Sequence, residues 1–286
     1  MRMKSILLTV AGLFLATGAE ARTLMVCTTG CAFSDIQPAV DAAKDGDRIR
    51  IGRGVYTPHA YRDIAYGKLT IRGFVLLDNR RLTLESEPGA VLDGGDGLAT
   101  SAIVVRGGDV KISGLTVRDF RAVDNRDDIY DGHGVFQIGG HLRLRDMRIE
   151  GVTKMALVVR EDGVADAAKI TIANNGVGIW IDEQARLRLS QSVVSGNTYS
   201  GLAVYASSQT DLWRVHFSYH TDDAVFIDGQ AQVRVKRSAF NNNRPFVFNL
   251  NDRGRLTVHE STFCRNEAVS KPGLEVLGST NRTCKE

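Results

Sequence analysis

Residues 171–181 read TIANNGVGIWI, in which the apolar Ile172 is followed three positions later by Asn175, and this pattern returns along the chain. The pairs are Ile172 and Asn175, Val194 and Asn197, Phe217 and His220, Phe240 and Asn243, and Phe263 and Asn266. Their polar members are 22, 23, 23 and 23 residues apart, and a further step of 23 back from Asn175 reaches Val152. A period of this length predicts a solenoid in which each unit buries its apolar face only by stacking on its neighbours.

Alternating apolar residues predict short strands within each unit. The strand before the anchor has inward positions Leu144, Leu189, Leu212, Val235 and Val258. The strand after the polar position has inward pairs Leu157 and Val159, Leu202 and Val204, Val225 and Ile227, and Phe248 and Leu250. Stacked identical amides form hydrogen-bonded ladders, so we interpret the Asn column as structural. His220 shares that column, and we interpret it as a hydrogen-bonded substitute in preference to a catalytic residue.

The first 21 residues have the order of a secretory signal peptide. Arg2 and Lys4 precede the apolar stretch 6–15, and Ala19-Glu20-Ala21 is a small-x-small cleavage pattern. Removal of residues 1–21 leaves 34 basic and 32 acidic side chains, a net charge of +2. This balance excludes a globally basic nucleic-acid binder, and no later segment is apolar enough for a transmembrane anchor. We expect an exported protein, periplasmic or secreted, and a monomer.

Four cysteines lie near the ends of the chain: Cys27, Cys31, Cys264 and Cys284. Four cysteines in an exported protein allow three pairings. A solenoid needs both of its distant ends tied down, which favours Cys27 with Cys31 and Cys264 with Cys284. A metal site is the alternative, but Cys-x3-Cys without a nearby His makes it the weaker one.

The segment after Cys31 predicts a helix and then a strand. Ser34-Asp35-Ile36-Gln37 is a Ser-x-x-Gln capping box, and Ile36, Ala39, Val40 and Ala43 have helical spacing up to Gly46. Gly46-Asp47-Arg48-Ile49-Arg50-Ile51 and Gly54-Val55-Tyr56 follow. This run resembles the opening of the pectin-lyase-like superfamily of right-handed parallel β-helix proteins, in which a cysteine-flanked helix leads into G-D-x-I-x-I and G-x-Y.

The resemblance implies an all-β, single-domain right-handed parallel β-helix solenoid with an N-terminal capping α-helix. The expected boundaries are a signal peptide at 1–21, a disulfide loop and capping helix at 22–48, coils at 49–280 and a tail at 281–286. The superfamily includes lyases, hydrolases, epimerases, esterases and adhesins without catalytic activity. Its motifs are therefore specific for the fold and not for one activity.

One coil is longer than the others. The interval from Phe120 to Val152 is 32 residues, about nine more than the repeat, and the insertion contains Tyr130, Asp131 and His133. Insertions in solenoids project on one face, often the binding face, although a solvated acidic loop without a role is the alternative. If Phe136 is aligned with the inward residues Leu157 and Val225, then His133, Lys154, Gly176, Tyr199 and Asp222 form one column.

The same alignment predicts a sugar-binding groove on the strand after the polar column. Its outward residues read Gln137, Val158, Trp180, Ala203, Phe226 and Asn249, then Arg160, Asp182, Tyr205, Asp228 and Asn251. Aromatic faces stack on pyranose rings, and polar flanks bind hydroxyls and carboxylates. The candidate substrate-binding residues are Trp180, Tyr199, Tyr205, Phe226, Arg160 and Asp182. The alternative is that a loop buries Trp180 and Phe226.

Basic residues dominate outward positions of the strand before the anchor: Lys111, Arg143, Arg145, Arg186, Arg188, Arg234, Lys236 and Arg255. Like charges on adjacent rungs are unfavourable, which suggests an anionic polymer as partner. The alternative is interleaving with acids such as Glu150, Asp166 and Asp211.

The resemblance implies a polysaccharide substrate, commonly a uronate polymer. Lyases and C5-epimerases of this kind neutralise the carboxylate with a cation and remove the C5 proton with a base. His133, Tyr130 and Lys154 are the candidates for base, acid and cation, with Asp131 orienting His133. Asp127 and Asp128 are candidates for Ca²⁺, the only cofactor that we consider.

A rival cluster consists of Asp222 and Asp223, with Tyr199, His220 and Arg244 nearby, and paired carboxylates suit glycoside hydrolysis. Four rungs separate this cluster from His133, about 19 Å at a spacing of 4.8 Å. Companion motifs of polygalacturonases, pectin methylesterases and one alginate epimerase group are absent, so no catalytic residue is transferred from those families. We expect an enzyme of lyase or epimerase type; the alternatives are a non-catalytic glycan-binding protein and a structural envelope protein.

Overall fold

Three long parallel sheets, joined turn by turn, form the described part of the chain. The structure is a computed structural model, and it describes residues 21–123, 129–271 and 278–284. The proposed signal peptide therefore lies almost wholly outside the described residues. Within those residues, no helix is both long enough and apolar enough to cross a membrane.

Short strands and one short helix follow one another along the described chain. The first third contains β1 (Thr23–Val26), α1 (Ile36–Ala42), β2 (Arg48–Ile51), β3 (Gly54–Tyr56), β4 (Arg62–Tyr66), β5 (Leu69–Asp78), β6 (Arg81–Ser86), β7 (Ala90–Asp93), β8 (Ser101–Arg106), β9 (Asp109–Ser113) and β10 (Thr116–Arg118). The middle contains β11 (Ile129–Tyr130), β12 (Val135–Ile138), β13 (His141–Arg145), β14 (Arg148–Glu150), β15 (Met155–Arg160), β16 (Val164–Ala168), β17 (Thr171–Ala173), β18 (Val177–Ile181), β19 (Arg186–Ser190) and β20 (Val193–Ser195). The last third contains β21 (Leu202–Val204), β22 (Gln209–Trp213), β23 (His216–Ser218), β24 (Val225–Ile227), β25 (Gln232–Lys236), β26 (Ala239–Asn241), β27 (Phe246–Leu250), β28 (Arg255–His259), β29 (Thr262–Cys264), β30 (Ala268–Ser270) and β31 (Arg282–Thr283).

Each coil gives one strand to each sheet in turn, which makes a parallel β-helix. Sheet A contains β1, β2, β6, β9, β13, β16, β19, β22, β25 and β28 in spatial order. Sheet B contains β3, β7, β10, β14, β17, β20, β23, β26, β29 and β31. Sheet C contains β11, β5, β8, β12, β15, β18, β21, β24, β27 and β30, and β4 pairs with β5 outside this path. The prediction of an all-β parallel solenoid is confirmed.

The inward residues stack in columns along the axis. Leu144 aligns with Ala167, Leu189, Leu212, Val235 and Val258 in sheet A, as the predicted inward positions require. These side chains are at most 2% exposed. Full burial of a Val or Leu side chain contributes about 1.5–3 kcal/mol, so the stacked columns stabilise the contact between neighbouring coils.

The Asn column lies at the corner between sheets B and C. The Nδ2 of Asn175 donates to Oδ1 of Asn197 at 3.0 Å, and Asn243 donates to Asn266 in the same way at 2.9 Å. His220 occupies the place between them, and its Nε2 lies 3.1 Å from the Val194 carbonyl oxygen. Asn243 makes the equivalent bond to the Phe217 carbonyl, so His220 replaces an amide, and its structural interpretation is confirmed.

Helix α1 begins one residue later than the capping-box prediction. The N-cap is Asp35, whose carboxylate accepts a hydrogen bond from the Ile36 amide at 2.7 Å, so the prediction of Ser34 is wrong. The helix ends at Ala42 with Ala43 as C-cap, well before Gly46. Val40 is buried among core side chains, which joins this helix to the N-terminal coils.

Both predicted disulfides are confirmed. Cys27 pairs with Cys31, and Cys264 with Cys284, with Cα separations of 5.5 and 4.9 Å. Each bond lies near a strand that the sequence did not predict. Strand β1 precedes α1 and extends sheet A, and β31, placed in a tail by the prediction, pairs with β29 in sheet B.

A hairpin interrupts the regular coils at the N-terminal end. Strand β4 runs antiparallel to the first half of β5, and β11 pairs parallel with β5 through Thr70 and Ile71. Ile64 and Ile71 of this hairpin pack against outward residues of sheet C and form an apolar cluster outside the main core. The hairpin is therefore a second layer on the outer face of sheet C.

Candidate functional site

The outer face of sheet C carries the column that the sequence analysis proposed as a groove, with one change of register. Val135, not Phe136, pairs with Leu157 and points inward, and Phe136 pairs with Val158. Gln137 is consequently buried, and it donates to backbone carbonyls at Gly139 and Gly140. The predicted outward position of Gln137 is wrong, because the insertion in this coil ends one residue earlier than equal coil lengths imply.

In the observed register one outward column contains Leu76, Val104, Phe136, Val158, Trp180, Ala203, Phe226 and Asn249. Counted back from Val135, His133 lies level with Met155, and the amide of the adjacent Gly134 donates to the Met155 carbonyl. Lys154 and Asp222 lie one position earlier in their coils than His133 does in its own coil. The single column predicted for His133, Lys154 and Asp222 is therefore two neighbouring columns.

A cavity of about 260 Å³ opens beside this column, on the outer face of sheet C. Its lining consists of Tyr130, His133, Phe136, Met155, Val158, Arg160, Trp180 and Asp182. Four of the predicted site residues, His133, Tyr130, Arg160 and Asp182, thus share one cavity with the predicted platform Trp180. Lys154 lies beside it, and its Nζ is 5.8 Å from the centre of the Tyr130 ring.

His133 is enclosed by aromatic rings and held by a serine. Its Nδ1 lies 3.0 Å from Ser101 Oγ, and its ring meets Tyr130 and Phe136 edge-on at 5.9 and 5.1 Å. The ring is 1% exposed, and this burial, aided by the positive charge of Lys154, lowers the pKa of His133 to about 3. The imidazole is therefore neutral at neutral pH and keeps a lone pair for a proton.

Asp131 does not orient His133, contrary to the prediction. Its Oδ1 lies 3.5 Å from Lys154 Nζ, and its Oδ2 accepts from the Val123 amide at 3.1 Å. The side chain of Asp131 is almost fully buried, whereas that of Lys154 is about one-third exposed. Asp131 thus holds a cation at the cavity edge, and Ser101 takes over the orienting bond to His133.

The opposite edge of the cavity contains an ion-pair network. Arg160 binds Asp182 at 3.2 Å and Glu183 at 3.0 Å, and its guanidinium lies 5.3 Å from the centre of the Tyr66 ring. Tyr66 Oη donates to Glu183 Oε1 at 3.0 Å, and burial raises the pKa of this phenol to about 12. The network connects the tip of the hairpin to the coil of β18.

Three aromatic side chains continue from the cavity along the axis. Trp180 stacks on Tyr205 with ring centres 4.3 Å apart, and Tyr205 lies 5.6 Å from Phe226. All three are half-buried, so the hairpin does not cover them as it covers the earlier coils. Burial, together with the charges of Asp228, Asp182 and Asp222, raises the pKa of Tyr205 to about 12. We call this run, from Trp180 to Asn249, the sheet C groove.

The rival acidic cluster lies at the far end of the groove. Asp223 is 2% exposed and accepts a hydrogen bond from Asn249 Nδ2 at 2.7 Å. Burial, and to a smaller extent the charge of Asp222, raises its pKa to about 6. Asp222 itself is exposed, and four rungs separate this coil from that of His133, as predicted.

Two residues predicted near this cluster lie apart from it. Arg244 lines a separate cavity of about 360 Å³ with Tyr219 and His220, at the corner between sheets B and C. In the described segments it forms no ion pair with Asp222 or Asp223. Tyr199 is 59% exposed at the same corner and joins no aromatic stack in the described residues.

The predicted Ca²⁺ ligands belong to a segment that the structure does not describe. Asp127 and Asp128 do not lie among the described residues. Across residues 21–123, 129–271 and 278–284, no group of three or more His, Cys, Asp or Glu side chains is placed to hold a metal ion.

The basic stripe of sheet A is interleaved with acids. Asp166 lies between Arg143 and Arg188 in register, and Asp211 lies between Arg188 and Arg234. Arg188 binds Asp166 at 3.4 Å, and Arg234 binds Asp211 at 2.6 Å. From Arg143 to Arg234 the alternating charge removes the repulsion between rungs that suggested an anionic polymer on this face, whereas Lys111 and Arg143 are direct neighbours in register.

Comparison with known proteins agrees with this architecture. A family model described as a right-handed β-helix region matches residues 133–285, slightly more than half of the chain. The chain belongs to this right-handed β-helix family. The right-handed parallel β-helix that the resemblance implied is confirmed with it. No curated protein sequence matches the chain.

Several solved structures share the β-helix fold at low identity. A pectate lyase, Pel9A, is 13% identical with a TM-score of 0.66 over 94% of this chain and 79% of that one. An alginate lyase from Paenibacillus sp. is 14% identical with a TM-score of 0.52 over 91% of this chain and 99% of that one. A tailspike protein from an Acinetobacter baumannii bacteriophage, a capsular polysaccharide depolymerase, is 9% identical with a TM-score of 0.54 over 91% of this chain and 57% of that one. Identities this low establish the β-helix fold alone.

Three residues that contact the cavity lining of this β-helix protein were missed by sequence reasoning. Ser101, Tyr66 and Glu183 come from two irregular coils and a corner turn, where the repeat gives no alignment. The alternation of Arg62–Tyr66 with the following apolar run was a hairpin signal that could have identified Tyr66.

Proposed function

We propose that this protein is exported and binds and modifies an acidic, uronate-containing polysaccharide, with lyase or C5-epimerase chemistry at the cavity beside the hairpin. The observation that carries the proposal is the meeting of a neutral buried imidazole, a phenol and an ammonium group at the start of an aromatic groove. A neutral base and a cation are the two groups that proton abstraction beside a carboxylate requires.

In this proposal Lys154 neutralises the uronate carboxylate, and Asp131 holds its ammonium group at the cavity edge. His133 accepts the C5 proton, and Ser101 fixes the orientation of the ring. A bound carboxylate offsets the charge of Lys154, which is one cause of the low pKa of His133, so substrate raises the basicity of its own base.

The bond changes then follow two routes. In elimination the C5–H electrons form the C4–C5 double bond, the C4–O bond breaks, and Tyr130 protonates the leaving oxygen. In epimerisation Tyr130 returns a proton to C5 from the opposite face. The two routes need the same three side chains and differ in whether the leaving group departs. Ca²⁺ at Asp127 and Asp128 would help neutralise the carboxylate, and it remains a proposal of the sequence alone.

The test is incubation of the mature protein with a panel of uronate polymers, with and without Ca²⁺. Ultraviolet absorbance detects the new double bond, and NMR in deuterated water detects exchange at C5. We expect His133→Gln and Lys154→Ala to lose turnover while they keep the circular dichroism of the β-helix. Lys111→Ala on the outer face of sheet A is the matched control and retains full activity. Unchanged turnover in His133→Gln and Lys154→Ala would refute the assignment.

A second function is supported by a specific observation. His133 is 1% exposed, and Asp131 already neutralises the charge of Lys154, an arrangement that suits a rigid binding wall. We therefore keep a non-catalytic glycan-binding protein as the alternative. Polymer binding without any product, lost on Trp180→Ala, would select it. The rival hydrolase at Asp222 and Asp223 predicts new reducing ends and dependence on Asp223.

The cell compartment and the N-terminal end are part of the same proposal. We infer that residues 1–21 direct export, and the two disulfides support this because such bonds persist in oxidising compartments. We also propose that α1 closes the apolar interior, since Ile36, Ala39 and Val40 join the core at its first coils. Sequencing of the N-terminus of protein recovered from the periplasm tests the cleavage site.

A further inference from the structure

The outer face of sheet C is covered at one end and open at the other. Val104, Phe136 and Val158 point outward from three successive coils, yet each is at most 1% exposed. Ile64 and Ile71 of the hairpin pack on them. Outward residues of a sheet that faces solvent would keep part of their surface exposed, so the hairpin is the reason for this burial.

The hairpin is fastened where the covered part ends. Tyr66 near its tip donates to Glu183, and the ring of Tyr66 lies under the guanidinium of Arg160. The tip is therefore held by one hydrogen bond to Glu183 and one aromatic contact with Arg160 of β15, and Arg160 in turn binds Asp182 and Glu183. The ion pair of Arg160 with Asp182 is about four-fifths buried and is screened less than an exposed pair, which favours a fixed position of the guanidinium that contacts Tyr66.

The sheet C groove begins at this point and runs away from the hairpin. Trp180, Tyr205 and Phe226 lie on three successive rungs, so a glycan stacked on them runs along the axis of the β-helix. The cavity with His133 lies beside Trp180, at the start of this groove. On its sides stand Tyr130 of β11, which is paired to the hairpin, and the pair of Arg160 with Asp182.

We propose that the groove is blind at the hairpin, so that it receives the end of a glycan chain, with the terminal sugar in the cavity and the next sugars on Trp180, Tyr205 and Phe226. The inference rests on the proposed function, because it assigns the chain end as the substrate of that same site. A polymer bound by an internal segment would have to pass through the space that Ile64, Tyr66 and Ile71 occupy.

The test is a binding stoichiometry over a length series of uronate oligosaccharides and polymers, measured with the catalytically impaired His133→Gln variant by titration calorimetry. A blind groove binds one protein per chain end at every length, and the affinity per chain stops rising once the groove is filled. A groove open at both ends binds several proteins on one long chain, because internal sites multiply with length. Several proteins per long chain would overturn the proposal.

Two tyrosine variants at the same hairpin test the fastening directly. Tyr66→Ala removes the contacts to Arg160 and Glu183, and we expect the number of proteins per long chain to rise above the wild-type value. Tyr61→Ala is the matched control, because Tyr61 lies directly before β4 and stacks on Arg72 instead. If the number of proteins bound per long chain is unchanged in Tyr66→Ala, the contacts of Tyr66 do not hold the hairpin in place. Absence of binding to every oligosaccharide and polymer would overturn the proposed function itself, an outcome distinct from multiple binding.

Discussion

At the scale of single residues, the Asn column shows what a repeat predicts and where one substitution breaks it. The two Asn pairs around His220 donate amide to carbonyl oxygen as stacking requires. His220 keeps the bond to a backbone carbonyl, but its ring does not make the side-chain hydrogen bonds that an amide would make to the Asn residues on both sides. Asn197 Nδ2 and His220 Nδ1 are consequently buried without a hydrogen-bond partner. Unpaired buried polar atoms cost about 1–3 kcal/mol each.

We therefore expect His220→Asn to raise the free energy of unfolding at pH 7 by about 1–2 kcal/mol, after loss of some packing by the smaller side chain. Burial lowers the pKa of His220 to about 4, below its ordinary 6.5. The folded state thus binds this proton less readily, and stability present above pH 6.5 is lost as the pH falls toward 4. Denaturant titrations at pH 7 and pH 4.5 should show a larger gain at the lower pH. An equal gain in stability at both pH values would contradict the role of the imidazole.

For Asp223 we expect the opposite dependence of stability on pH. Its pKa is raised above its ordinary 3.8 to about 6, so its stabilising contribution is complete below pH 3.8 and is lost as the pH rises through 6. Asp223→Asn keeps the acceptor for Asn249 and removes the charge. We expect this variant to be more stable than the wild type by roughly 1–3 kcal/mol at pH 7.5 and equal to it at pH 3.5, since one pKa unit corresponds to about 1.4 kcal/mol. Thermal unfolding at both pH values checks this, with the exposed Asp222→Asn as control.

At the scale of elements, two features depart from the sequence prediction for the same reason. The N-terminus of α1 and the hairpin of β4 and β5 both belong to segments that occur once, so no second copy constrains their alignment. The helix cap is Asp35 where the Ser-x-x-Gln pattern favours Ser34, because the chain is extended at Asp35, with φ −139° and ψ 156°. In that conformation the carboxylate reaches the Ile36 amide.

The cap assignment can be decided by one pair of substitutions. Asp35→Ala removes the acceptor for the Ile36 amide, and we expect a loss of about 0.5–2 kcal/mol in the free energy of unfolding. Ser34→Ala should change it by less than about 0.5 kcal/mol, as an ordinary surface substitution does. Chemical denaturation of the two variants side by side is sufficient. A larger effect of Ser34→Ala would restore the capping box.

At the scale of the whole molecule, the two disulfides act on the ends of a structure whose cohesion is between neighbouring coils. Cys264 with Cys284 closes a segment of 20 residues, and Cys27 with Cys31 one of four. Because most coils stack on their immediate neighbours, loss of a terminal bond should loosen the adjacent coils and leave the middle intact.

We expect Cys264→Ser/Cys284→Ser to lose about 3 kcal/mol of local stability, from the chain entropy of its loop, and Cys27→Ser/Cys31→Ser to lose less. Hydrogen exchange should show faster exchange in β29 and β31 for the first variant, with β15 and β18 unchanged. Uniformly faster exchange along the chain would show that the coils unfold as a single unit.

The sequence by itself determined the parallel β-helix, its regular inward columns and the amide ladder, because equal coil lengths force equivalent residues into register. It favoured the two observed disulfides among three pairings, because the distant ends of a solenoid need tying down. It also identified Trp180, Tyr205 and Phe226, which lie in regular coils. Only the tertiary structure decided that Val135 points inward, that Asp131 binds Lys154 while Ser101 binds His133, and that a hairpin covers one end of sheet C. These features belong to coils that carry insertions, where residue counting loses the register and contacts between distant segments set it instead.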